Sequence, residues 1–399
     1  MARTRTRLRP AGGLVAVSCA AALSAMTLPA QAAPEGRVLG AGAPGSVSGS
    51  YLVTLKGEVR AASADGQEIA GAYGARISHT YGTVLNGYAV TADARQARRL
   101  AADARVASVV QDTRVVVDGT QRNPPSWGLD RVDQRSLPLD RRYTAPGSGG
   151  KGVTVYVIDT GVRTSHRDFG GRASSGRDFV DRDRTAQDGN GHGTHVAATA
   201  AGSAYGVAKK ARVVAVRVLD DQGAGTTARV IAGIDWVTKH ARKPAVANLS
   251  LGGPRNSRLD AAVRASIASG VTYTVAAGNS GRPASGYSPA GLPQAVTVGA
   301  TDRNDTRAAF SNYGAAVDLF APGVSVTSAS RASDTARATA SGTSMAAPHV
   351  AGAAALYLTA HPRAKPAQVA KALVSEAVSG KVSGRGTGSP DRLLRVPRT

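Results

Sequence analysis

From residue 153 onward, short runs rich in Val, Ile and Ala alternate with longer helical patterns, and this alternation limits the fold more than any other feature of the chain. Strands are expected at residues 153–158, 213–218, 245–249, 271–276 and 295–299, and helices near 192–202, 226–240, 257–269, 344–360 and 366–375. Runs that are apolar at nearly every position suit strands covered on both faces, so the order argues for an α/β fold of three layers around a mostly parallel sheet. Functional groups in such sheets gather just beyond the carboxyl ends of the strands. A chain of 399 residues with 42% apolar content can build this unit and a smaller one beside it.

The smaller unit precedes it. Strand candidates at 51–55, 77–84, 87–90 and 106–117 and helical stretches at 62–73 and 92–102 follow the order β-α-β-β-α-β, a small α+β, ferredoxin-like split-βαβ arrangement. It ends in Asp118-Gly119-Thr120-Gln121-Arg122-Asn123-Pro124-Pro125, whose composition marks a boundary. At the start, Arg3, Arg5, Arg7 and Arg9 lead into an apolar run from Ala11 to Leu28 and then Ala30-Gln31-Ala32, the form of a secretory signal peptide rather than a membrane span. The expected domains are therefore 1–32 (signal), 33–119 (small unit) and 120–399 (main unit), with an extracellular product that is free of the membrane once the signal is removed. The only cysteine, Cys19, is lost with the signal, so no disulfide is expected. Net charge is +22; residues 33–119 carry nine basic against eight acidic residues and the signal four Arg, leaving +17 for residues 120–399. The Arg residues are dispersed without interleaved aromatics, which reads as a solvated basic surface and not as a nucleic-acid site.

Four residues carry the chemistry. Asp159 follows Val153-Thr154-Val155-Tyr156-Val157-Ile158 and precedes Thr160-Gly161, at a strand's carboxyl end; alone it would read as a turn cap. His192 lies in Asp188-Gly189-Asn190-Gly191-His192-Gly193-Thr194-His195, where glycines give a general base access. A metal pair with His195 and a phosphate loop are the alternatives; the first lacks a third ligand cluster and the second a GK[ST] ending. Ser344, in Gly342-Thr343-Ser344-Met345-Ala346-Ala347-Pro348, opens a helix whose first turn tolerates Pro348. By itself Ser344 would be a cap, because a serine hydroxyl needs a base and an orienting group to attack an amide. Asn279, in Val275-Ala276-Ala277-Gly278-Asn279-Ser280, could donate to an oxyanion beside the Ser344 amide. The segment around Ser344 lacks the final glycine of the G-x-S-x-G turn of lipases and esterases.

The chain order Asp, His, Ser is that of subtilisin-type enzymes. The blocks VYVIDTGV, NGHGTHVA, NLSLGG, AAGNS and GTSMAAPHVAG resemble the signatures of subtilisin-like serine proteases, particularly the proteinase K and aqualysin branch, and residues 51–117 resemble that family's inhibitory propeptide. The resemblance implies a subtilisin-like fold and a secreted, monomeric serine endopeptidase that acts on protein and peptide substrates and processes its own precursor near residues 117–121. Asp159 would orient the imidazole of His192, His192 act as base then acid, Ser344 as nucleophile and Asn279 as oxyanion donor. Ser250, Leu251 and Gly252 would pair with an extended substrate, and Ala276, Ala277 and Gly278 would wall the pocket before the scissile bond, implying broad cleavage with an apolar preference. The propeptide would assist folding and then act as inhibitor. Catalysis would need no cofactor; a structural Ca2+ would bind the carbonyls of Pro293 and Ala295 with the carboxylate of Asp318. Kexin-like processing enzymes, which need a further β domain, are not expected on this reading. Relatives often carry a disulfide cysteine just before the Asn-Gly-His block, where this chain has Gly189, and a glycine where it has Ala198.

Overall fold

The strand Thr154–Asp159 is buried at every position, so both of its faces must be covered. Val155 and Val157 enter one apolar cluster and Tyr156 and Ile158 another, as the two-residue period of a strand requires. The computed structural model describes residues 34–43, 46–113 and 119–396; the signal expected at 1–32 lies outside them. The chain forms two compact units, one up to Arg114 and one from Val115.

The first unit comprises β1 (Val38–Leu39), β2 (Ser46–Leu55), α1 (Ala64–Ala72), β3 (Arg76–Tyr81), β4 (Gly87–Thr91), α2 (Ala94–Ala101) and β5 (Val106–Thr113). The strands form one sheet in the order β1-β5-β2-β4-β3, antiparallel except for β1 against β5. Alternate residues of β2 (Tyr51, Val53 and Leu55) reach the core, where Ile69 of α1 and Leu100 of α2 meet them. Each helix starts where its sequence supplies a cap: Ser63 accepts from Gly66 N, and Asp93 and Gln96 form a reciprocal capping box.

The second unit opens with β6 (Gly119–Arg122), α3 (Trp127–Val132) and β7 (Arg142–Ala145). It continues with β8 (Thr154–Asp159), β9 (Ala173–Asp178), α4 (His192–Ala201), β10 (Arg212–Arg217), α5 (Thr227–His240), β11 (Ala245–Leu249), β12 (Gly253–Pro254), α6 (Ser257–Ala268) and β13 (Thr272–Ala276). After these come β14 (Tyr287–Ser288), β15 (Val296–Thr301), β16 (Leu319–Pro322), β17 (Val326–Ala329), β18 (Arg337–Ala340), α7 (Thr343–Ala360), α8 (Pro366–Glu376), β19 (Val378–Ser379) and β20 (Arg392–Leu393). The main sheet has nine strands in the order β19-β20-β16-β15-β13-β11-β8-β10-β9, parallel throughout except for the final β19–β20 pair. Helices α4, α7 and α8 pack on one face with Val155 and Val157, and α5 and α6 on the other with Tyr156 and Ile158. All the strands and helices expected after residue 153 form, within two residues of their expected ends. Strand β9, Ala-Ser-Ser-Gly-Arg-Asp, has no apolar run to announce it, because it is the half-exposed edge of the sheet.

Helix α7 corrects one expectation. It starts at Thr343 after an N-cap at Gly342, so Ser344 is its second residue and Pro348 its sixth, beyond the first turn. Pro348 has no N–H to give the carbonyl four residues back. That carbonyl belongs to Ser344, and it accepts instead from Ser250 Oγ at 2.8 Å. The proline thus opens a hydrogen-bonding position in the helix that β11's following loop fills.

Arg131 of α3 is fully buried and binds Asp305 with two parallel hydrogen bonds, Nε to Oδ1 at 2.7 Å and Nη2 to Oδ2 at 2.9 Å, while Nη1 donates to Gln134 O. Removing one charge of such a pair strands the other in an apolar interior. Asp305→Asn, which suits the positive φ of 62° there, is expected to cost about 3 kcal/mol and lower the calorimetric Tm by about 10 °C; replacing both charges by apolar residues costs less.

Candidate active site

Strand β8 ends in Asp159 and α4 begins at His192, and the two side chains meet where the parallel sheet stops. Asp159 is fully buried, and its Oδ1 accepts from His192 Nδ1 and from Thr160 N, each at 2.7 Å. A carboxylate only accepts, so the proton is on Nδ1 and the lone pair of the neutral ring is on Nε2. The His192 side chain is 27% exposed, which leaves it within reach of a bound molecule.

The loop that carries His192 is tied by a residue the sequence reading passed over. Asp188 is buried, and its Oδ1 accepts from Thr160 Oγ1 (2.8 Å), Asn190 N (3.0 Å) and Gly191 N (2.7 Å). Its Oδ2 accepts from Thr194 N (2.9 Å) and Thr194 Oγ1 (2.6 Å). Thr160 Oγ1 in turn receives Gly193 N at 2.9 Å, which links the residue after Asp159 to the residue after His192. Gly193 has to be glycine because a Cβ there would lie 2.0 Å from Gly161 O. The position of Asp188 four residues before His192, in a turn-rich segment, was the available signal.

The third element is the start of α7. Ser344 Oγ donates to Ser250 O at 3.0 Å, and Ser250 Oγ, which donates to Ser344 O, accepts from Asn248 Nδ2 at 2.8 Å. Asn248 Oδ1 accepts from Thr274 Oγ1 at 2.9 Å. A polar chain thus runs from β13 through β11 to the backbone of Ser344. Asn279 is anchored through its oxygen, which accepts from Thr343 N and Thr343 Oγ1, each at 2.8 Å. Its Nδ2 remains as a donor, beside Gly342. The Ser344 amide lies in the first helical turn, where no carbonyl stands four residues back to accept it, and the helix amino end favours negative charge.

Burial opposes a charge on His192, but the Asp159 carboxylate, its hydrogen bond and the field of Asp188 together outweigh it and raise the pKa above the ordinary histidine value. The other two histidines nearby go the opposite way. Burial pushes His195 and His349 down to about 4, so both are neutral at pH 7. His195 is buried and its Nε2 donates to Val326 O at 3.0 Å, while His192 Nδ1 is taken by Asp159, which does not support the metal-pair reading.

Ser250, Leu251 and Gly252 line a cleft of about 640 Å³ that also contains His192. Ala276 and Ala277 are buried, and Ala277 packs into an apolar cluster with Ala284 and Phe320, so any pocket wall it forms must be backbone. Pro293 and Ala295 lie in the turn entering β15, and Asp318 precedes β16, held to β15 by Thr297 N donating to its Oδ2 at 2.8 Å. Burial raises Asp318 to about 6, against the pull of its hydrogen bond and of Arg392. A Cβ at position 189 would lie 1.9 Å from Asp221 Oδ1, so Gly189 leaves room for Asp221 to pair with Arg217 Nη2 at 2.7 Å. Arg217 is also bound by Asp178 and Asp181.

Residues 150–393 match the model of the subtilase family, and residues 50–118 that of peptidase inhibitor I9. An extracellular serine proteinase of Thermus sp. (strain Rt41A) is 47% identical over 389 residues, covering 92% of this chain and 94% of its own length. Alkaline serine exoprotease A of Vibrio alginolyticus is 48% identical over 332 residues, 82% of this chain but 61% of its own. The crystal structure of a cold adapted subtilisin-like serine proteinase, 54% identical, superimposes with a TM-score of 0.66 over 68% of this chain and 98% of its own.

The electrostatics at His192 give a testable sign. A histidine base is lost on protonation, so activity falls as pH drops through its pKa, and the acidic limb of kcat/KM is expected above the ordinary value of about 6.5. Asp159→Asn removes the main contributions that raise it; a pH–rate profile should show the limb moved down and kcat reduced by about four orders of magnitude.

Proposed function

The chain belongs to the subtilase family and is a serine endopeptidase, and from that premise we propose that Asp159, His192 and Ser344 do its chemistry with Asn279 as oxyanion donor. The observation that carries this is the 2.7 Å bond from His192 Nδ1 to the buried Asp159, which leaves Nε2 as a base, and His192 lines one groove with Met345, the residue after Ser344. For reaction, the Ser344 hydroxyl turns from Ser250 O to His192 Nε2, loses its proton there and attacks the peptide carbonyl. The developing oxyanion takes hydrogen bonds from Asn279 Nδ2 and the Ser344 amide, two donors already held in place before charge develops. His192 then passes its proton to the departing amine, and water releases the acyl group by the same route. Ser250, Leu251 and Gly252 pair with the substrate backbone, and the small residues Ala276 and Gly278, with the backbone of Ala277, favour apolar side chains before the scissile bond.

The inhibitor segment is part of this reading. Residues 33–119 are a propeptide removed by the enzyme itself after export, and residues 120–399 are the mature, monomeric protein. Among the described residues no helix is long and apolar enough to cross a membrane.

A structural Ca2+ at Asp318 with the carbonyls of Pro293 and Ala295 fits the donor chemistry. Asp318 has one oxygen engaged by Thr297 N and is costly to ionise where it is buried, so a hard cation there would offset that cost. No group of three or more His, Cys, Asp or Glu side chains among the described residues is arranged to hold a metal, so backbone carbonyls would supply the other ligands.

Purified wild type is expected to hydrolyse casein, and Ser344→Ala to do neither that nor its own processing, accumulating as precursor on a gel; maturation of the variant at the normal rate would refute self-cleavage. The calcium reading has its own sign. An acid raised to about 6 in the folded state holds a proton that the unfolded chain loses near pH 4, so its contribution to stability falls as pH rises from about 4 to 6. Without calcium, wild type should lose Tm over that range relative to Asp318→Asn, and saturating calcium should restore wild type while leaving the Tm of Asp318→Asn unchanged.

A further inference from the structure

Two grooves meet at His192. The first contains Ser250, Leu251, Gly252 and Arg255; the second, of about 520 Å³, contains Arg331 and Met345, the residue after the proposed nucleophile. They share only Asn190 and His192. A polypeptide with its carbonyl at Ser344 has to leave that point in both directions, so one groove receives the residues before the scissile bond and the other those after it. Given the pairing proposed for Ser250–Gly252, the first groove takes the preceding residues and the second the leaving side.

Each groove is lined by one arginine and by no carboxylate. The nearby acids are committed elsewhere. Asp334 is bound by Arg163 Nε and Ser165 Oγ at 2.7 Å each, and Asp220 Oδ1 turns into its own loop to accept from Gln222 N and Ala224 N. Asp221 is paired with Arg217, and Asp159 and Asp188 lie beneath His192 with the partners described above. Arg331 runs across the residue before the base, with Cγ and Cδ at 3.5 and 3.7 Å from the point a Cβ on Gly191 would occupy, and its guanidinium has no carboxylate partner among the described residues. The amino end of α4 beside it adds to the positive field. Arg255 is steadied by one hydrogen bond, Nη1 to Ser285 O at 3.1 Å, which leaves most of its donors for a ligand.

We propose that Arg331 and Arg255 make this enzyme select peptides with acidic side chains flanking the cleavage site, Arg331 reading the first two residues after the scissile bond and Arg255 a residue three or four before it. The proposal rests on the catalytic assignment above and names the substrate class for that site. Contacts of this kind, exposed and hydrated, change selectivity by a few-fold per site and are weakened by salt. The +17 charge of residues 120–399 adds long-range attraction for acidic chains but does not distinguish positions within a peptide.

The test uses the matured enzyme and quenched fluorescent peptides with one apolar core, carrying Glu, Gln or Lys at a single flanking position. Expected is kcat/KM about three-fold higher for Glu than for Gln on either side, lower again for Lys, with the spread shrinking in 0.5 M NaCl. Arg331→Glu should invert the Glu-to-Lys ratio on the leaving side while the ratio on the other side persists, and Arg255→Glu should do the converse. Ratios measured within one variant do not depend on how much of it folds. Equal cleavage of the three peptides by wild type, or a ratio that survives charge reversal, would overturn the proposal. Failure of wild type to cleave even the Gln peptide would refute the catalytic assignment instead.

Discussion

A parallel strand covered on both faces can place polar groups cheaply only where it ends, and the architecture of the proposed site follows from that constraint. Strand β8 is buried from Thr154 to Asp159, and its single carboxylate stands at the last position, where His192 can reach it. Had that carboxylate stood two residues earlier, in place of Val157, its charge would have been enclosed by the apolar cluster under α4 and α7, without a partner and at a cost of several kcal/mol. The same rule places Ser250 just past β11 and Asn279 three residues past β13.

Positioning is done from behind. Asp188 binds the hydroxyl of Thr160 and the amides on either side of His192, so the loop carrying His192 is tied to the strand carrying Asp159. On the other side, Pro348 frees the Ser344 carbonyl and Ser250 occupies it, joining the helix that carries Ser344 to the network under the cleft. Both oxygens of Asp188, the Ser250 hydroxyl and Asn248 Oδ1 are satisfied by neighbours whose own places are set by the sheet, which is how such networks rigidify a site rather than weaken it.

Where relatives in this branch often have a disulfide cysteine, Gly189 makes room for Asp221, and Arg217 gathers Asp178, Asp181 and Asp221 around one guanidinium. The ionic cluster ties the end of β10 to the edge of the cleft without a covalent bond. Its strength depends on ionic strength where the acids are exposed, as Asp181 and Asp221 are, and less where Asp178 is buried.

The sequence by itself determined the layers, the element order and the identity of the four proposed chemical groups, because apolar periodicity and glycine-bracketed polar residues are local signals. Strand β9 was not legible, since an edge strand needs no apolar run, and neither was the depth of Pro348 in α7, since helix starts depend on what caps them. Only the tertiary structure decided that Ala277 faces inward, that Asp188 ties the loop of His192 to Thr160, that the Ser344 hydroxyl rests on Ser250 and that an arginine lies in each groove. The Asp188–Thr160 and Ser344–Ser250 contacts join residues 28 and 94 positions apart, brought together by sheet order, and no local pattern encodes them.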